Sequence, residues 1–279
     1  MHLTIEQILW ALVVAGHLVL LIVLLGRDRA AHFPWFTTAI AVSAARLIAD
    51  HLLQGKLTTI AFHWQTYVSL TLDDLICFMV LLELLRRVFS SGKAGLILKP
   101  KGWIGGAFVT LAVAAGAVWL WGPWPSTAAI KADPAQLPLL LVALTATKGQ
   151  IFIALLTVQV ALLLLVAGRR FGFEWRTHPQ QIALGLSTNA LGFLAVQGIA
   201  DSIKRTVHLT SREQYERVVH LFTNLDNTRS ALWILVLLWW ITWLWRDEQG
   251  TTPSLVATAE AETIVDATTH EAGQPESAE

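Results

Sequence analysis

The stretch IEQILWALVVAGHLVLLIVLLG at residues 5–26 decides the class of this chain. A helix needs about 20 consecutive apolar residues to cross the hydrocarbon of a bilayer, and this stretch supplies them. Six more stretches of the same kind follow, at Pro34–Leu53, Phe62–Leu85, Trp103–Trp121, Leu137–Gly168, Pro179–Asp201 and Leu225–Trp245. Lipid offers the backbone no hydrogen bonds, so each stretch must form its own helical ones. The sequence therefore predicts an all-α polytopic membrane domain at residues 1–246, with seven transmembrane helices numbered here as segments one to seven.

The composition supports a membrane protein. Apolar residues make up 54% of the chain and charged residues 14%, whereas an ordinary soluble domain has about 25% charged residues. There are thirteen Trp and only two Tyr. Several of the Trp residues, including Trp10 and Trp245, fall near segment ends, where an aromatic belt meets the lipid headgroups. The net charge is zero, so we expect the lipid bilayer as a partner and no nucleic acid.

Basic residues predict the orientation in the membrane. The loops after segments one, three and five contain two, five and three Lys or Arg, whereas those after segments two and four contain one each. The loop after segment six disagrees, with four basic residues. The positive-inside rule still favours the N-terminus outside and the C-terminus inside.

The composition changes abruptly after Arg246. Residues 247–279 contain eight Asp or Glu and no Lys or Arg. Such a segment buries too little apolar surface to offset the entropy lost on ordering. We predict a disordered, acidic cytoplasmic tail. This tail and the basic loop at residues 86–101 are the predicted contacts for a partner protein.

Charged residues inside the segments are the main functional signal. Counting inward at about 1.5 Å per residue, the middle third of the membrane receives His17, Arg46, Asp73, Asp74 and Lys148. Charge at that depth needs a partner or a water-filled cavity. Arg46 and Asp50 are four residues apart, and Asp226 and Arg229 are three apart, so each pair shares a helix face and can neutralise itself. A structural and a functional role both remain open for these two pairs.

Lys148 has no acidic residue within four positions on its segment. We expect it to contact Asp73 or Asp74 across helices, and the spacing does not choose between the two. The predicted polar cavity lies in the outer half of the bundle, with an amide lining of Gln150, Asn189, Gln197, Asn224 and Asn227. The candidate ligand- or ion-binding residues are Arg46, Asp50, Asp73, Asp74, Lys148, Asn189, Asp226 and Arg229.

Signatures of enzymes and cofactors are mostly missing from the sequence. Gly185–Thr188 resembles the GxSG motif of rhomboid proteases, but the final glycine is absent. Segment seven has no lysine to hold retinal. His17 is an alternative haem or metal ligand, although no second histidine lies at its depth, and we expect it to be packed and hydrogen-bonded instead. We therefore predict no metal and no cofactor.

Two motifs resemble a known group of proteins. Phe33-Pro34-Trp35-Phe36-Thr37 opens segment two, and the run of residues 82–89 (LELLRRVF) closes segment three after His63, Trp64 and Tyr67. Both are similar to motifs in a family of uncharacterised bacterial multi-pass, seven-helix membrane proteins. The resemblance covers about the first ninety residues. It implies a location in the bacterial inner membrane and implies no activity.

Three functional hypotheses follow from this pattern. The first is a non-enzymatic ligand-sensing or complex-forming module with an outward-facing polar cavity. The second is a secondary transporter or proton-coupled carrier that uses Lys148 with the adjacent aspartates. The third is an intramembrane enzyme. Buried charge is the basis for all three, because it usually marks function in a membrane domain.

Overall fold

A computed structural model of the protein describes residues 4–90, 100–121, 124, 137–171, 177–207 and 211–246. Within these residues the chain forms eight α-helices and no strand. They are α1 (Ile5–Gly26), α2 (Arg29–His32), α3 (Pro34–Leu53), α4 (Thr59–Ser90), α5 (Pro100–Leu120), α6 (Leu137–Phe171), α7 (His178–Thr206) and α8 (Arg212–Trp245). The all-α prediction is confirmed for this part of the chain. The predicted acidic tail, residues 247–279, lies outside the described residues.

Each predicted segment falls on one long helix. Five helices, α1, α3, α6, α7 and α8, are long and apolar enough to cross a membrane. The apolar helices are therefore those of a multi-pass membrane protein. The other two segments differ from these five: α4 includes Asp73 and Asp74, and in α5 the apolar helix among the described side chains is the shorter stretch Val109–Leu120.

Local sequence explains where several helices begin. The Thr4 hydroxyl accepts a hydrogen bond from the backbone N–H of Gln7, and the Gln7 side chain accepts one from the backbone N–H of Thr4. This capping box starts α1. Ser211 accepts a hydrogen bond from the Gln214 N–H at 3.3 Å, so α8 starts at Arg212, well before the predicted segment seven. Pro34 starts α3, where a missing N–H costs nothing.

The start of α3 is capped by a different helix. Glu83 on α4 accepts a hydrogen bond from the backbone N–H of Phe36 at 3.2 Å. Glu83 also pairs with Arg87 at 3.8 Å, and the Arg87 guanidinium lies 4.6 Å over the ring of Phe33. The Glu83 carboxylate thus stabilises the positive end of the α3 dipole and also pairs with Arg87 in its own helix. Glu83 therefore forms an ion pair within α4 and also joins α4 to α3.

A dense apolar core fills one end of the bundle. Its centre is Trp240, which is fully buried and meets Phe36 edge-on at 5.0 Å and Trp233 edge-on at 5.4 Å. The indole N–H of Trp240 donates to the Gln181 carbonyl at 3.2 Å, so its one polar atom is satisfied. Leucines from several helices surround it, including Leu20, Leu24, Leu84, Leu237 and Leu244.

Glycine makes the contact between α7 and α8 possible. A Cβ atom at Gly185 would overlap the indole of Trp240, and one at Gly192 would overlap Leu232. Small residues at such crossings let membrane helices approach closely. The Ser187 hydroxyl donates to the Leu184 carbonyl at 2.9 Å in its own helix. The resemblance of Gly185–Thr188 to a protease motif therefore coincides with a packing contact.

We expect Gly185→Ala to lower the free energy of unfolding by about 1–3 kcal/mol, because the added methyl group forces Trp240 to move. Gly198→Ala on the same helix is the matched control, since no atom lies within 4 Å of its new methyl group. That control should be neutral or more stable by about 0.5–1 kcal/mol. Thermal or denaturant unfolding in detergent measures both variants. Equal stability of the two would contradict the packing role.

Candidate functional site

A cavity of about 820 Å³ lies between α1, α3, α4, α6, α7 and α8. It includes Glu6, in the first turn of α1, and extends to the aromatic core, where Phe36 and Trp240 line it. Pockets of about 300–1,000 Å³ hold small organic molecules. The cavity therefore has the size of a ligand site, bounded at its deep end by the packed half of the bundle.

Most of the predicted site residues meet at this cavity. Its wall includes Arg46, Asp73, Asp74, Asn189, Asp226 and Arg229, together with the predicted amides of Gln150 and Asn227. Gln197 and Asn224 are not among its lining residues. Six of the eight candidate residues therefore lie together, because charge inside an apolar bundle has to be placed where it can be solvated or paired.

Arg46 connects α3 to α4. Its Nε lies 2.7 Å from Asp73 Oδ2, and its Nη1 lies 3.9 Å from Asp50 Oδ2. Asp50 does not line the cavity, and it also accepts a hydrogen bond from the side-chain amide of Gln65 at 2.6 Å. The predicted Arg46–Asp50 pair exists, but the shorter contact is the one across helices. Asp73 therefore has an arginine partner that the sequence analysis did not assign.

Lys148 is not part of the cavity wall, and its predicted contact with Asp73 or Asp74 is wrong. Its amine donates to the backbone carbonyls of Trp121 and Val118, the latter at 3.3 Å. It also lies 4.8 Å over the ring of Trp124. The last carbonyls of a helix have no partner within the helix and carry partial negative charge. Lys148 thus caps the C-terminal end of α5, with backbone oxygens in place of the carboxylate we expected.

The local pair predicted for Asp226 and Arg229 does not form. Arg229 lies with its guanidinium 5.0 Å over the ring of Phe193. Among the described residues, no carboxylate oxygen lies within 4.0 Å of its nitrogen atoms. Asp226 is near enough to act on it electrostatically, but no described residue forms a hydrogen bond with the guanidinium edge of Arg229.

His17 lines the cavity, although the sequence analysis did not include it among the binding candidates. It is 1% exposed, and its Nδ1 lies 2.7 Å from the carbonyl oxygen of Val13. A carbonyl only accepts hydrogen bonds, so Nδ1 must carry the proton and the neutral ring keeps its lone pair on Nε2. Nε2 is buried and has no hydrogen-bond partner in the part of the chain that the structure describes. The packed, hydrogen-bonded histidine that we expected is present, and one of its nitrogens is free to accept.

Asp74, like His17, has a buried polar atom without a hydrogen-bond partner among the described residues. Its Oδ2 is buried without a hydrogen-bond partner and lies against Gly149 of α6, where a Cβ atom would approach it to 2.6 Å. Gly149 therefore makes room for this carboxylate at the contact between α4 and α6. The neighbouring Asp73 turns toward Arg46 instead, so the two adjacent aspartates have different surroundings.

Aromatic side chains complete the wall, and the sequence analysis missed them. Trp10, Phe193 and Trp233 line the cavity from α1, α7 and α8. Trp10 stacks on His51 at 4.2 Å, and its indole N–H donates to the Leu47 carbonyl at 3.3 Å. Its position near a segment end predicted a place in the lipid-facing belt. The Trp10 side chain faces inward because it stacks on the ring of His51 and donates a hydrogen bond to the carbonyl of Leu47, both on α3.

Comparisons of this chain with models of known protein families, with curated proteins and with solved structures found no match in any of the three. The chemistry of the cavity residues is therefore the basis for assigning a function. The resemblance of the first ninety residues to a bacterial membrane protein family stays a prediction.

We expect Lys148→Met to loosen the end of α5 without affecting the cavity. Loss of a hydrogen bond from a charged donor should lower the local opening free energy by about 1.5–3 kcal/mol. Amide hydrogen exchange at residues 118–121 measures this opening. Lys56→Met, at an exposed turn position, is the control and should leave the exchange unchanged. Unchanged exchange in Lys148→Met would contradict the capping role.

Proposed function

We propose that this protein is a non-enzymatic ligand-sensing module of the bacterial inner membrane, which binds a small polar molecule in the cavity. The observation that carries the proposal is the cavity wall itself, where charged and polar residues, some with buried atoms that have no hydrogen-bond partner among the described residues, line a space of about 820 Å³. Unpaired polar groups inside a membrane domain cost free energy. A ligand that pairs with them would recover that cost.

The shape of the bundle favours binding over passage through the membrane. The cavity includes the first turn of α1 at one limit, whereas Phe36 and Trp240 close it at the other. Beyond them the core is continuous and apolar, with Leu20, Leu24 and Leu84 fully buried. A ligand entering this cavity would meet a packed floor. Its binding energy could then favour one arrangement of the helices over another, as sensing requires.

The proposed topology has seven transmembrane helices, with the N-terminus outside and the C-terminus inside. The bias of Lys and Arg toward the loops after segments one, three and five supports it. In this orientation the end of the cavity at Glu6 faces outside, where it would sample external solutes. The basic loop at 86–101 or the acidic tail would then carry the signal to a partner protein on the inner side.

Cysteine labelling tests this topology. In a Cys77→Ser background, we expect Lys56→Cys to react with a membrane-impermeant maleimide in intact spheroplasts. Ala31→Cys should react only after the membrane is permeabilised. Both positions are exposed, and they flank α3: Ala31 lies in α2 just before it and Lys56 in the turn after it. The reverse pattern would overturn the orientation, and equal labelling of both in intact cells would overturn a membrane-spanning α3.

A secondary carrier is the alternative function. The specific observation in its favour is the ion pair of Arg46 and Asp73, which joins two helices at the cavity wall, together with Asp74 beside it. Carriers often place charged groups near the middle of the membrane, where they bind substrate and coupling ions. In this case the floor at Phe36 and Trp240 would have to open during transport.

Ligand binding can be tested before the ligand is identified. We expect some members of a panel of amino acids, organic acids, amines and sugars to raise the melting midpoint of the purified protein. At a hundred times Kd the stabilisation is about 2.7 kcal/mol, which shifts the midpoint by roughly 5–10 °C for a domain of this size. Ala190→Phe, which fills the cavity wall, should abolish the shift. Ala45→Phe, at an exposed position of α3, should retain it.

Two outcomes separate the hypotheses. A panel without any stabilising compound, or a shift that survives in Ala190→Phe, would contradict ligand binding in the cavity. Gradient-driven uptake of the stabilising compound into proteoliposomes containing the wild-type protein, absent from Ala190→Phe, would favour the carrier.

A further inference from the structure

Several polar groups on the cavity wall have no hydrogen-bond or ion-pair partner among the described residues, and three of them indicate the charges of a ligand. One is a donor, the guanidinium of Arg229 on α8, and two are acceptors, Nε2 of His17 on α1 and Oδ2 of Asp74 on α4. By contrast, the other arginine on this wall, Arg46, is paired with Asp73 at 2.7 Å. The unused groups therefore describe the chemistry of what the cavity binds, because a buried polar group is stable only when it is satisfied.

The guanidinium of Arg229 is suited to bind a ligand group with one negative charge. Phe193 lies against the face of the guanidinium, which leaves the N–H groups at its edge free to hold a carboxylate through two parallel hydrogen bonds. The side chains on the cavity wall include four acidic residues, Glu6, Asp73, Asp74 and Asp226, and two arginines. This excess of negative charge disfavours a doubly charged phosphate. A single carboxylate matches the one unpaired guanidinium.

His17 and Asp74 require a donor. Each residue lines the cavity and contains a buried atom that only accepts hydrogen bonds, Nε2 of His17 and the carboxylate Oδ2 of Asp74. An ammonium group has three N–H donors and no acceptor, so it can satisfy either atom or both. Its positive charge also compensates the carboxylate of Asp74. A ligand with a hydroxyl group in place of the amine would leave that charge uncompensated.

The unused groups lie at different depths of the cavity. Arg229 and Trp233 are four residues apart on α8, which corresponds to about 6 Å along the helix axis. His17 contacts Trp233, with their rings 5.8 Å apart. The anion-binding group is therefore about one helical turn nearer the α1 N-terminal end of the cavity than the histidine. Trp10, Trp233 and Phe193 provide apolar surface between and beside the two.

We infer that the cavity binds an amino carboxylate, a small zwitterion whose carboxylate pairs with Arg229 and whose amino group is held by His17 and Asp74. This inference rests on the proposed ligand-binding function and specifies its substrate class. Such a zwitterion has no net charge, so its binding does not add to the excess of negative charge on the cavity wall.

The test uses matched ligands. Melting shifts are first measured with the twenty proteinogenic amino acids, β-alanine and γ-aminobutyrate, and Kd is then measured for the best compound. The amine lacking its carboxylate and the acid lacking its amino group are measured beside it. We expect each analogue to bind about 10- to 100-fold more weakly, the range for a lost hydrogen-bonded charge pair.

Variants assign each contact. Arg229→Gln should weaken the amino acid about 10- to 100-fold and leave the decarboxylated amine unchanged, whereas Arg229→Lys should restore part of the affinity by keeping the charge. Asp74→Asn should weaken the amino acid and the amine alike and spare the deaminated acid. Arg212→Gln, at an exposed position on the same helix, is the control and should change nothing.

The outcomes also separate this inference from the proposed function. If compounds of other classes stabilise the wild type but not Ala190→Phe, and no amino carboxylate does, the cavity binds ligands and the assigned class is wrong. Equal binding of the amino acid and either analogue would overturn it as well. A uniform loss of affinity for all three ligands in Arg229→Gln would show a structural arginine. If no compound binds in the cavity, the proposed function fails and this inference falls with it.

Discussion

Charge in a membrane must be solvated, paired or absent, and the arrangement of this bundle follows from that constraint. Lipid tails cannot hydrogen-bond, so a charged side chain on an apolar helix has to face other helices. Arg46 on α3 meets Asp73 on α4, and Asp74 lies against α6. Arg229 of α8 faces Phe193 of α7. These contacts hold the helices around a polar space and keep its charges away from lipid.

The two halves of the bundle use opposite kinds of packing. Around Trp240, aromatic rings and leucines fill the space between helices, and Gly185 lets α7 come close to α8. Around Arg229 and His17, side chains leave a cavity of about 820 Å³. The packed half gives rigidity, because dense cores resist deformation. The open half has polar atoms without a hydrogen-bond partner among the described residues, which is why we assign the proposed function to it.

Two helix ends show how ionic groups can serve structure instead. Glu83 caps the first turn of α3, and Lys148 caps the last turn of α5. In each case a side chain from a neighbouring helix satisfies backbone groups that have no partner within their own helix. Lys148 looked anomalous because no carboxylate lies near it in sequence. Its acceptors are backbone carbonyls, which carry no signature in composition or spacing.

The helices and the existence of a polar interior follow from the amino-acid sequence alone. Apolar stretches of about 20 residues can satisfy their backbone only as helices in lipid, and charges among them require a cavity or partners. Which polar groups meet depends on how the helices pack. Helical periodicity places Arg46 and Asp50 on one face, but the rotation and packing of neighbouring helices bring Asp73 to Arg46, separate Asp226 from Arg229, and turn Trp10 and His17 inward. Those choices depend on contacts between distant segments, such as a glycine under an indole, which no local pattern contains.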